Sequence, residues 1–372
     1  MMRIAILGTR GIPACYSGFE TLAEELGARL VARGHEVTVY GRTRYVPPGR
    51  RLHRGVRLVT LPTLRHKYLD TVVHTGLSLV HSFFQRYDAI LVCNAANAVF
   101  TLWPRLIGTR VALNVDGHDR HRRKWSAAGR AWYAVSERLA LWVPNAIVTD
   151  AEIIERYYRE RHGVETTRIA YGGAAEREEG LDVLDRFGLE PGQYILYVSR
   201  LEPENNAHAV VAGFEQVASP VRLAVVGDAP YAGEYIARLK ATSDPRIVFT
   251  GGVYGRGYRQ LQTHARLYVQ ASEVGGTHPA LVEAMAFGHA IVANDVPEHR
   301  EVLGDAGLYF EAAKPETLAA RLSELVADAD AARELGRRAA ARARERYDWD
   351  AVTEAYERLF ERLCSSGRRR RH

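Results

Sequence analysis

Cysteine is scarce in this sequence. The three cysteines among 372 residues, Cys15, Cys93 and Cys364, lie far apart, and none belongs to a C-x-x-C pair. Isolated thiols at such spacing argue against a disulfide-stapled secreted scaffold and against a cysteine-based zinc site, and they are typical of a reducing compartment. We therefore expect a cytoplasmic protein with free thiols.

Long apolar runs are also missing. The apolar segment at residues 4–7 is much shorter than the core of a signal peptide, and the more apolar later stretches are interrupted at Asn94, Asn97, Arg105 and Pro144. The sequence therefore predicts no membrane-spanning segment. Its 47% hydrophobic and 25% charged residues are ordinary globular values, and its length fits two domains.

The sequence lacks the dinucleotide-binding fingerprint. A strand predicted at residues 3–7 leads into a glycine-bearing loop, a helix that stops at Gly34 and a second strand at residues 37–40. No G-x-G-x-x-G motif occurs there, and Gly41 and Arg42 follow the second strand where a ribose-binding acid would be expected. This βαβ unit therefore argues against a nicotinamide enzyme.

A metal-binding pattern is missing as well. The mixture of Asp, His and Arg after residue 115 does not show metal-ligand spacing. Two D-x-D matches, at residues 328–330 and 348–350, lie at predicted helix starts, where aspartate is an ordinary cap. We assign no metal.

Basic residues exceed acidic ones. The 50 lysines and arginines against 44 acids give a formal charge of +6, and basic residues cluster at 120–124 and 368–371. This excess favours anionic partners: nucleotide phosphates, a phospholipid surface or nucleic acid. Nucleic acid is disfavoured because no zinc knuckle, aromatic-basic RNA motif or basic heptad is present.

The first half reads as a doubly wound α/β domain. Further strands are predicted at residues 89–92, 111–115 and 146–148, and the last strand is expected to end within residues 169–175. Asp116 and His118 follow a strand's carboxyl end, where such sheets bind ligands. His118 could act as a base or contact a sugar, while Asp116 could merely form a turn.

The loop after the first strand is long. Tyr16, Ser17 and Gly18 precede its helix, as if another molecule fits above the sheet, although a simple connector is the alternative.

A second sheet is predicted after a hinge at residues 176–185. Its strands are expected at residues 194–199, 223–226, 247–249, 267–269 and 291–293. Arg200 follows the first of them, where its guanidinium could bind a diphosphate or could pair with Glu202 or Glu204.

The stretch 274–288 is the most informative part of the chain. Gly275 and Gly276 permit a tight turn, Thr277 or His278 can cap, and Pro279 suits the first helical position. Helix N-termini bind anions, and Glu283 lies one turn further on the same face, where a carboxylate can accept hydrogen bonds from sugar hydroxyls. Phosphate beside hydroxyls indicates a nucleotide sugar. The alternative is that the glycines only turn the chain and Glu283 is solvated.

These motifs resemble those of the retaining family 4 glycosyltransferases. Residues 200–206 are similar to the family's R-L-x-x-E-K-N segment, and residues 275–283 to its E-x-x-x-x-x-x-x-E segment. Residues 8–21, with G-T-R-G-I-P-A and G-F-E-T, resemble the narrower subgroup of bacterial β1,4-rhamnosyltransferases that build surface polysaccharides, as do residues 226–231 and 249–254. The resemblance spans nearly the whole chain.

The resemblance implies the α/β GT-B fold, with two Rossmann-like doubly wound domains facing each other across a cleft. We expect an acceptor-side domain at residues 1–173, a nucleotide-sugar domain at residues 174–349 and a terminal helix at residues 350–363 that packs back on the first domain.

A metal-independent, retaining transfer by front-face displacement is also implied, with a nucleotide-diphosphate sugar as substrate and no cofactor. Catalytic roles are expected for Arg200, His118 and Glu283. Donor-binding roles are expected for Gly11, Gly18, Arg200, Asn205, Val253, Gly275, Gly276, Thr277, His278 and Glu283. Acceptor-side roles are expected for Tyr16, Ser17, Asp116 and His118.

Two positions depart from the wider family. Asn205 replaces its phosphate-binding lysine, and Gly275 replaces its first glutamate. Both changes resemble the rhamnosyltransferase subgroup, which favours L-rhamnose from dTDP-rhamnose as the donor. His278, where that subgroup commonly has asparagine, leaves the donor open.

The expected acceptor is a glycan or a lipid-linked saccharide. The basic run at residues 120–124, with Trp125 and Trp132, and the arginine tail suggest peripheral binding to the anionic inner face of the cell membrane, although both could be solvated faces. A transferase using a UDP- or GDP-sugar and a nucleotide-sugar epimerase are the alternatives among enzymes. An inactive sugar-nucleotide binding module is the alternative of another class.

Overall fold

A computed structural model describes residues 1–15, 17–64, 69–115 and 127–368. The chain divides into two compact units. Unit 1 consists of Met1–Tyr171 and the segment that begins at Trp349, and unit 2 consists of Gly172–Asp348. The boundary expected after residue 173 lies two residues from the boundary between the units.

Unit 1 contains an eight-stranded sheet. Its strands are Arg3–Leu7 (β1), Glu36–Arg42 (β2), Leu52–His53 (β3), Val56–Leu61 (β4), Ala89–Cys93 (β5), Arg110–Val115 (β6), Ala146–Thr149 (β7) and Thr167–Arg168 (β8). They lie in the order β3-β4-β2-β1-β5-β6-β7-β8, and all pairs are parallel except β3 with β4. The order of the chain reverses between β1 and β5.

Five helices and a 3-10 helix connect these strands in the described residues. They are Gly18–Ala32 (α1), Leu69–Phe83 (α2), the 3-10 helix Ala95–Thr101, Leu102–Leu106 (α3), Ala127–Ala140 (α4) and Glu152–His162 (α5). The apolar spacing that predicted α1 is confirmed, because Phe19, Leu22, Ala23, Leu26 and Leu30 are all buried.

The last strand of unit 1 was wrongly expected to reach residues 169–175. β8 ends at Arg168, and only the Ile169 amide continues the pairing, donating to the Thr149 carbonyl (2.8 Å). Ile169 and Tyr171 are nevertheless buried. Their apolar pattern therefore reports burial of an irregular segment. β3, β4 and the last strand of unit 2 were not anticipated.

Unit 2 contains a six-stranded parallel sheet. Its strands are Tyr194–Val198 (β9), Arg222–Val226 (β10), Ile247–Gly251 (β11), Leu267–Gln270 (β12), Ala290–Asn294 (β13) and Leu308–Phe310 (β14). The order is β11-β10-β9-β12-β13-β14, so chain order reverses between β9 and β12. The five strands predicted for this half are confirmed.

Eight helices belong to unit 2 in the described part of the chain. They are Asp182–Phe187 (α6), Ala207–Phe214 (α7), Gly233–Leu239 (α8), Gly255–His264 (α9), Pro279–Phe287 (α10), Pro297–Leu303 (α11), Pro315–Ala327 (α12) and Ala329–Arg346 (α13). Asp328 is the N-cap of α13, and its Oδ1 accepts hydrogen bonds from the amides of Asp330 and Ala331 (3.0 and 2.9 Å). The interpretation of this D-x-D match as a cap is confirmed.

The terminal helix Trp349–Arg368 (α14) packs within unit 1, against α1, β5 and β6. The Tyr356 hydroxyl accepts a hydrogen bond from Asn114 Nδ2 (2.8 Å), and the Glu357 carboxylate contacts Arg33 (2.8 Å) and His35 (2.7 Å). The helix was expected at residues 350–363 and extends from Trp349 to Arg368, and Trp349 is buried with the rest of its apolar stripe.

Three buried histidines make stability depend on pH. Burial lowers the pKa of His74, His289 and His299 to about 4. An unfolded histidine titrates near 6.5, so between these values the unfolded chain binds protons that the folded chain does not. Stability is therefore expected to fall as pH drops from 6.5 towards 4, by up to about 1.4 kcal/mol per pH unit for each histidine.

Urea unfolding across this pH range measures the effect. His299→Asn serves as the matched variant, because an amide can replace the ring donor that faces the Asn294 carbonyl (2.8 Å) without titrating. We expect this variant to show a smaller slope than the wild type. Equal slopes would contradict the assignment of a depressed pKa to His299.

Candidate active site

The candidate site of unit 2 lies where β9 and β12 are neighbours. Open parallel sheets bind ligands beyond the carboxyl ends of their strands, at the point where strand order reverses. The loop containing Arg200 follows β9, and the loop containing Gly275 follows β12. The predicted diphosphate ligands of both loops therefore belong to the same edge of the sheet.

Hydrogen bonds join these two loops directly. The Glu273 amide donates to the Glu204 carbonyl (3.0 Å), and Asn206 Nδ2 donates to the Ala271 carbonyl (2.9 Å) and to Glu273 Oε1 (3.2 Å). Asn206 is 4% exposed and adopts a positive φ of 57°. The Asn206 side chain thus fixes the spacing between the Arg200 loop and the segment that leads to α10.

Asn205 holds the Arg200 loop from inside. Its Nδ2 donates to the Arg200 carbonyl (2.7 Å), and its own carbonyl accepts a hydrogen bond from the Tyr197 hydroxyl (2.6 Å). The side chain is buried. Where the wider family has a phosphate-binding lysine, this chain therefore has an amide that already donates to the backbone.

The Arg200 side chain is partly exposed and lies near the Glu202 carboxylate. Its side chain is 25% exposed, and its Nη1 lies 3.8 Å from Glu202 Oε2, which is a weak ion pair. The alternative pairing considered for Arg200 is thus partly realised. A diphosphate would offer the guanidinium two adjacent oxygens in place of one distant carboxylate oxygen.

The N-terminus of α10 presents backbone amide groups. Pro279 occupies the first position of this nine-residue helix, as predicted. His278 is the N-cap by backbone conformation, but its side chain makes no capping hydrogen bond, so side-chain capping by His278 was wrong. Its ring packs against His299, with 5.1 Å between centroids. A Cβ at Gly275 would lie 2.5 Å from the His278 ring.

Glu283 ends a chain of hydrogen bonds. The Tyr258 hydroxyl donates to Glu283 Oε2 (2.6 Å) and accepts from Gln262 Nε2 (2.8 Å), and the Gln262 carbonyl oxygen contacts His289 Nε2 (3.1 Å). Burial and the nearby Glu283 carboxylate raise the pKa of Tyr258 well above its ordinary value, so this hydroxyl remains a donor. Glu283 is therefore not the freely solvated residue of the alternative interpretation.

Sequence reasoning missed Tyr258 and Gln262. Their spacing of four residues on α9 places them on one face of the helix, which was the available signal. Val253, expected near the base, is half-buried and follows the edge strand β11. α9 begins shortly after Val253 and carries Tyr258 to Glu283.

The loop after β1 is the corresponding feature of unit 1. Two glutamates of α1 accept hydrogen bonds from backbone amides of this loop. The Arg10 amide donates to Glu20 Oε1 (2.7 Å), and the Ala14 amide donates to Glu24 Oε2 (2.6 Å). Glu20 Oε2 also accepts the amide and hydroxyl of Ser17, the N-cap of α1 (2.7 and 2.6 Å). The G-F-E-T motif therefore encodes a carboxylate that shapes the loop, a role that sequence reasoning did not assign.

Gly11 lies within this loop, and Gly18 follows it. Gly11 has φ of 108°, and a Cβ there would lie 2.5 Å from Val46 Cγ2. Its amide donates to Thr9 Oγ1 (3.1 Å), so that donor is already used. Gly18 is the first residue of α1. The predicted residues Tyr16, Asp116 and His118 lie outside the described residues.

Within the described residues, no group of three or more His, Cys, Asp and Glu side chains could hold a metal ion.

Comparisons with protein families match each unit in turn. A model described as "Glycosyl transferase 4-like domain" matches residues 17–174, and one described as "Glycosyl transferases group 1" matches residues 192–328. The chain is thus a glycosyltransferase, with one glycosyltransferase model matching each unit. The family assignment made from the two motifs is thereby confirmed at this level.

A curated relative of this glycosyltransferase is the phosphatidyl-myo-inositol mannosyltransferase of Mycobacterium tuberculosis. The two are 28% identical over 229 residues, which are 58% of this chain and 59% of the relative. The chain thus matches less than two thirds of that relative's length.

Solved structures are similar over almost the whole chain. Sucrose-phosphate synthase from Thermosynechococcus elongatus aligns with a TM-score of 0.82 at 19% identity, covering 98% of this chain and 100% of that one. Anabaena Alr3699/HepE, solved with UDP and glucose, aligns with a TM-score of 0.79 at 17% identity, covering 97% and 100%. At these identities the structures show the fold alone, and the predicted GT-B fold is confirmed.

The hydrogen-bond chain to Glu283 yields a prediction for this glycosyltransferase. If Glu283 contacts the ribose, as expected, Tyr258→Phe removes the hydroxyl that orients the carboxylate and should weaken binding of a nucleoside diphosphate by about tenfold. Tyr194→Phe is the matched control, because it removes another buried hydroxyl of unit 2 that donates to the Leu261 carbonyl (2.6 Å). Calorimetric titration with dTDP, UDP and GDP measures both variants. An equal loss in the two would mean that general destabilisation is responsible.

Proposed function

We propose that this protein is a retaining hexosyltransferase. It moves a sugar from a nucleotide-diphosphate sugar to a glycan or lipid-linked saccharide in polysaccharide synthesis. The observation that carries the proposal is that Arg200 follows β9, and the α10 N-terminus with Glu283 follows β12, its neighbour at the strand-order reversal of unit 2. Hydrogen bonds join these two loops, and Tyr258 donates to Glu283. The Arg200 guanidinium and the N-terminus of α10 are suited to the two phosphates of a nucleotide-sugar donor, and the Glu283 carboxylate is suited to its ribose.

Charge stabilisation supplies the catalysis in this proposal. The departing diphosphate gains negative charge as the sugar leaves, and Arg200 with the amides of residues 276–278 would bind that charge more tightly in the transition state. In front-face displacement, the leaving diphosphate accepts the proton of the attacking acceptor hydroxyl. Glu283 would bind the ribose equally in the ground and transition states. The nucleotide sugar is a substrate, so no cofactor or metal is invoked.

The proposed donor is dTDP-rhamnose, and the sugar transferred is L-rhamnose. Support comes from Gly275 and Asn205, which replace a glutamate and a lysine of the wider family, and from the motif at residues 8–21. A UDP- or GDP-sugar is the second candidate, since the mycobacterial relative is named a mannosyltransferase and one structural neighbour was solved with UDP and glucose.

Residues 1–173 are the proposed acceptor-side domain, and residues 174–349 are the proposed nucleotide-sugar domain. Ser17, Tyr16, Asp116 and His118 are the proposed acceptor-side residues, and Gly11, Gly18 and Val253 remain proposed donor contacts. Peripheral binding to the inner face of the cell membrane is also proposed, because a lipid-linked acceptor would be reached there.

A panel of nucleotide sugars tests the donor. We expect dTDP-rhamnose to raise the melting temperature more than UDP-glucose or GDP-mannose does, because only the ligand that fits the site binds the folded state tightly. A larger shift with UDP-glucose or GDP-mannose would transfer the assignment to the second candidate. Product analysis then separates transfer to an acceptor from epimerisation of the donor and from binding without turnover.

Arg200→Ala and Glu283→Ala should change different kinetic parameters. Removing Arg200 withdraws a charge needed mostly in the transition state, so kcat should fall by about 100- to 1,000-fold. Removing Glu283 withdraws a contact present throughout, so the donor KM should rise with a smaller change in kcat. Arg238→Ala, an exposed arginine of α8, is the control and should leave both constants unchanged. If both site variants altered only KM, Arg200 would have no role in stabilising the leaving group.

A further inference from the structure

α2 buries mostly polar side chains and exposes large apolar ones, which is the reverse of an ordinary amphipathic surface helix. The residues that it buries include Asp70, His74, Thr75, Ser78 and Ser82. Its most exposed large side chains are apolar, with exposures of 43% for Leu69, 41% for Leu77, 59% for Val80 and 52% for Phe83. A surface helix ordinarily turns its apolar stripe to the core. The outward apolar stripe of α2 therefore calls for a partner outside the unit.

Specific polar contacts fix this orientation. Asp70 Oδ2 accepts a hydrogen bond from the buried Arg42 guanidinium (2.6 Å), and His74 Nε2 donates to the Gly41 carbonyl (3.0 Å). Rotating α2 to hide its apolar stripe would break both contacts and leave Arg42 buried without its partner, which is costly. The exposed stripe is thus held outward by the end of β2.

The apolar surface continues beyond α2. The 3-10 helix Ala95–Thr101 contacts α2, α3 and α4, and so lies among all three. Large exposed side chains on and next to these elements are Phe84, Leu102, Trp103, Leu106, Ile107, Val135 and Trp142, with 64% exposure at Trp103 and 78% at Trp142. Large apolar side chains exposed on neighbouring elements are typical of an interaction site. We call the exposed side chains of α2 and α3, with Phe84, Ile107, Val135 and Trp142, the apolar face.

The charged residues near this face indicate what kind of partner it binds. Neither α2 nor α3 exposes a carboxylate, since the acid of α2 is the buried Asp70 and α3 has Arg105 as its charged residue. Arg105 is exposed, and its Nη1 donates to the carbonyls of Trp142 and Val143 (2.7 Å each), which places a cation beside the exposed Trp142. Apolar side chains bordered by tryptophan and arginine, without exposed acids, match the interface of an anionic bilayer.

We propose that the apolar face docks on the surface of an anionic phospholipid membrane. Among the described residues, no helix is long and apolar enough to cross a bilayer. α2 would therefore lie in the plane of the interface, with its outer side chains among the lipid headgroups and upper acyl chains. The basic run at residues 120–124, Trp125 and residues 369–371, which suggested membrane binding from sequence, lie outside the described residues. Trp132 is 38% exposed, and its indole N–H donates to the Ala96 carbonyl (3.1 Å).

Docking through α2 would also orient the acceptor loop. The Arg42 amide donates to the Arg10 carbonyl (3.0 Å), and Gly11 packs on Gly41, so the strand end that anchors α2 also supports the loop after β1. Delivery of a lipid-linked saccharide to this loop rests on the proposed function. The docking surface itself does not, because vesicle binding needs neither donor nor transfer.

Flotation of the full chain with vesicles tests the proposal. We expect binding to vesicles of phosphatidylcholine and phosphatidylglycerol in equal parts, and weaker binding to phosphatidylcholine alone. Val80→Ser combined with Phe83→Ser, and separately Trp103→Ser, should each weaken binding about tenfold or more, because a buried aromatic side chain contributes roughly that factor. Leu52→Ser, in β3 and 64% exposed, is the matched control and should bind as the wild type does. Unchanged circular dichroism and melting temperature verify that the variants fold.

Several outcomes would overturn the proposal. Failure of the wild type to bind either vesicle would do so, as would undiminished binding of both apolar-face variants. A wild-type dimer that these variants convert to monomers, measured by light scattering, would assign the face to a second copy of the chain. A chain ending at Gly367 should retain binding, and loss of binding in that form alone would assign it to the arginine tail. Nucleotide-sugar shifts measured in parallel report on the proposed function independently.

Discussion

Burial of both faces of each sheet confines the polar chemistry of this glycosyltransferase to the ends of its strands. Ile4, Ile6, Val225 and Val292 are almost fully excluded from solvent, so the strand interiors have no place for charged groups. All strands of unit 2 run parallel, and their carboxyl ends therefore meet at one edge. The loops after β9 and β12 meet there because those strands are neighbours, although more than sixty residues separate them in the chain.

A glutamate on the helix after the reversal strand recurs in both units, with different partners. Glu20 lies in the first turn of α1, and its carboxylate accepts the amides of Arg10 and Ser17, so it shapes the loop. Glu283 lies one turn into α10 and accepts the Tyr258 hydroxyl from a neighbouring helix. The same topology thus places a carboxylate in each unit, and the surrounding donors determine whether it binds backbone amides, as Glu20 does, or a side-chain hydroxyl, as Glu283 does.

α2 connects the loop after β1 with the outer surface of unit 1. Its buried face is polar because the end of β2 supplies Arg42 and the Gly41 carbonyl as partners, and its outer face is consequently apolar. The apolar side chains on the outer face of α2 therefore stay exposed to water, although burying them within the unit would favour folding. A bilayer interface would restore that burial and bring the chain to the place where a lipid-linked acceptor is found.

Sequence alone determined most of the strands and the Gly-Gly-Thr-His-Pro turn, because apolar runs, glycine and proline act locally and their periods are legible in one dimension. The resemblance of its motifs to those of known glycosyltransferases indicated the family and the fold. The sequence could not show that Asn205 donates to the Arg200 carbonyl, that Tyr258 holds Glu283 or that α2 faces outward. The Tyr258–Glu283 and Arg42–Asp70 contacts join residues 25 and 28 positions apart, and the Asn205 contact depends on how the chain turns between Arg200 and Asn205. The tertiary structure decided them, because a polar side chain turns inward only where folding brings it a hydrogen-bond partner, such as Arg42 for Asp70.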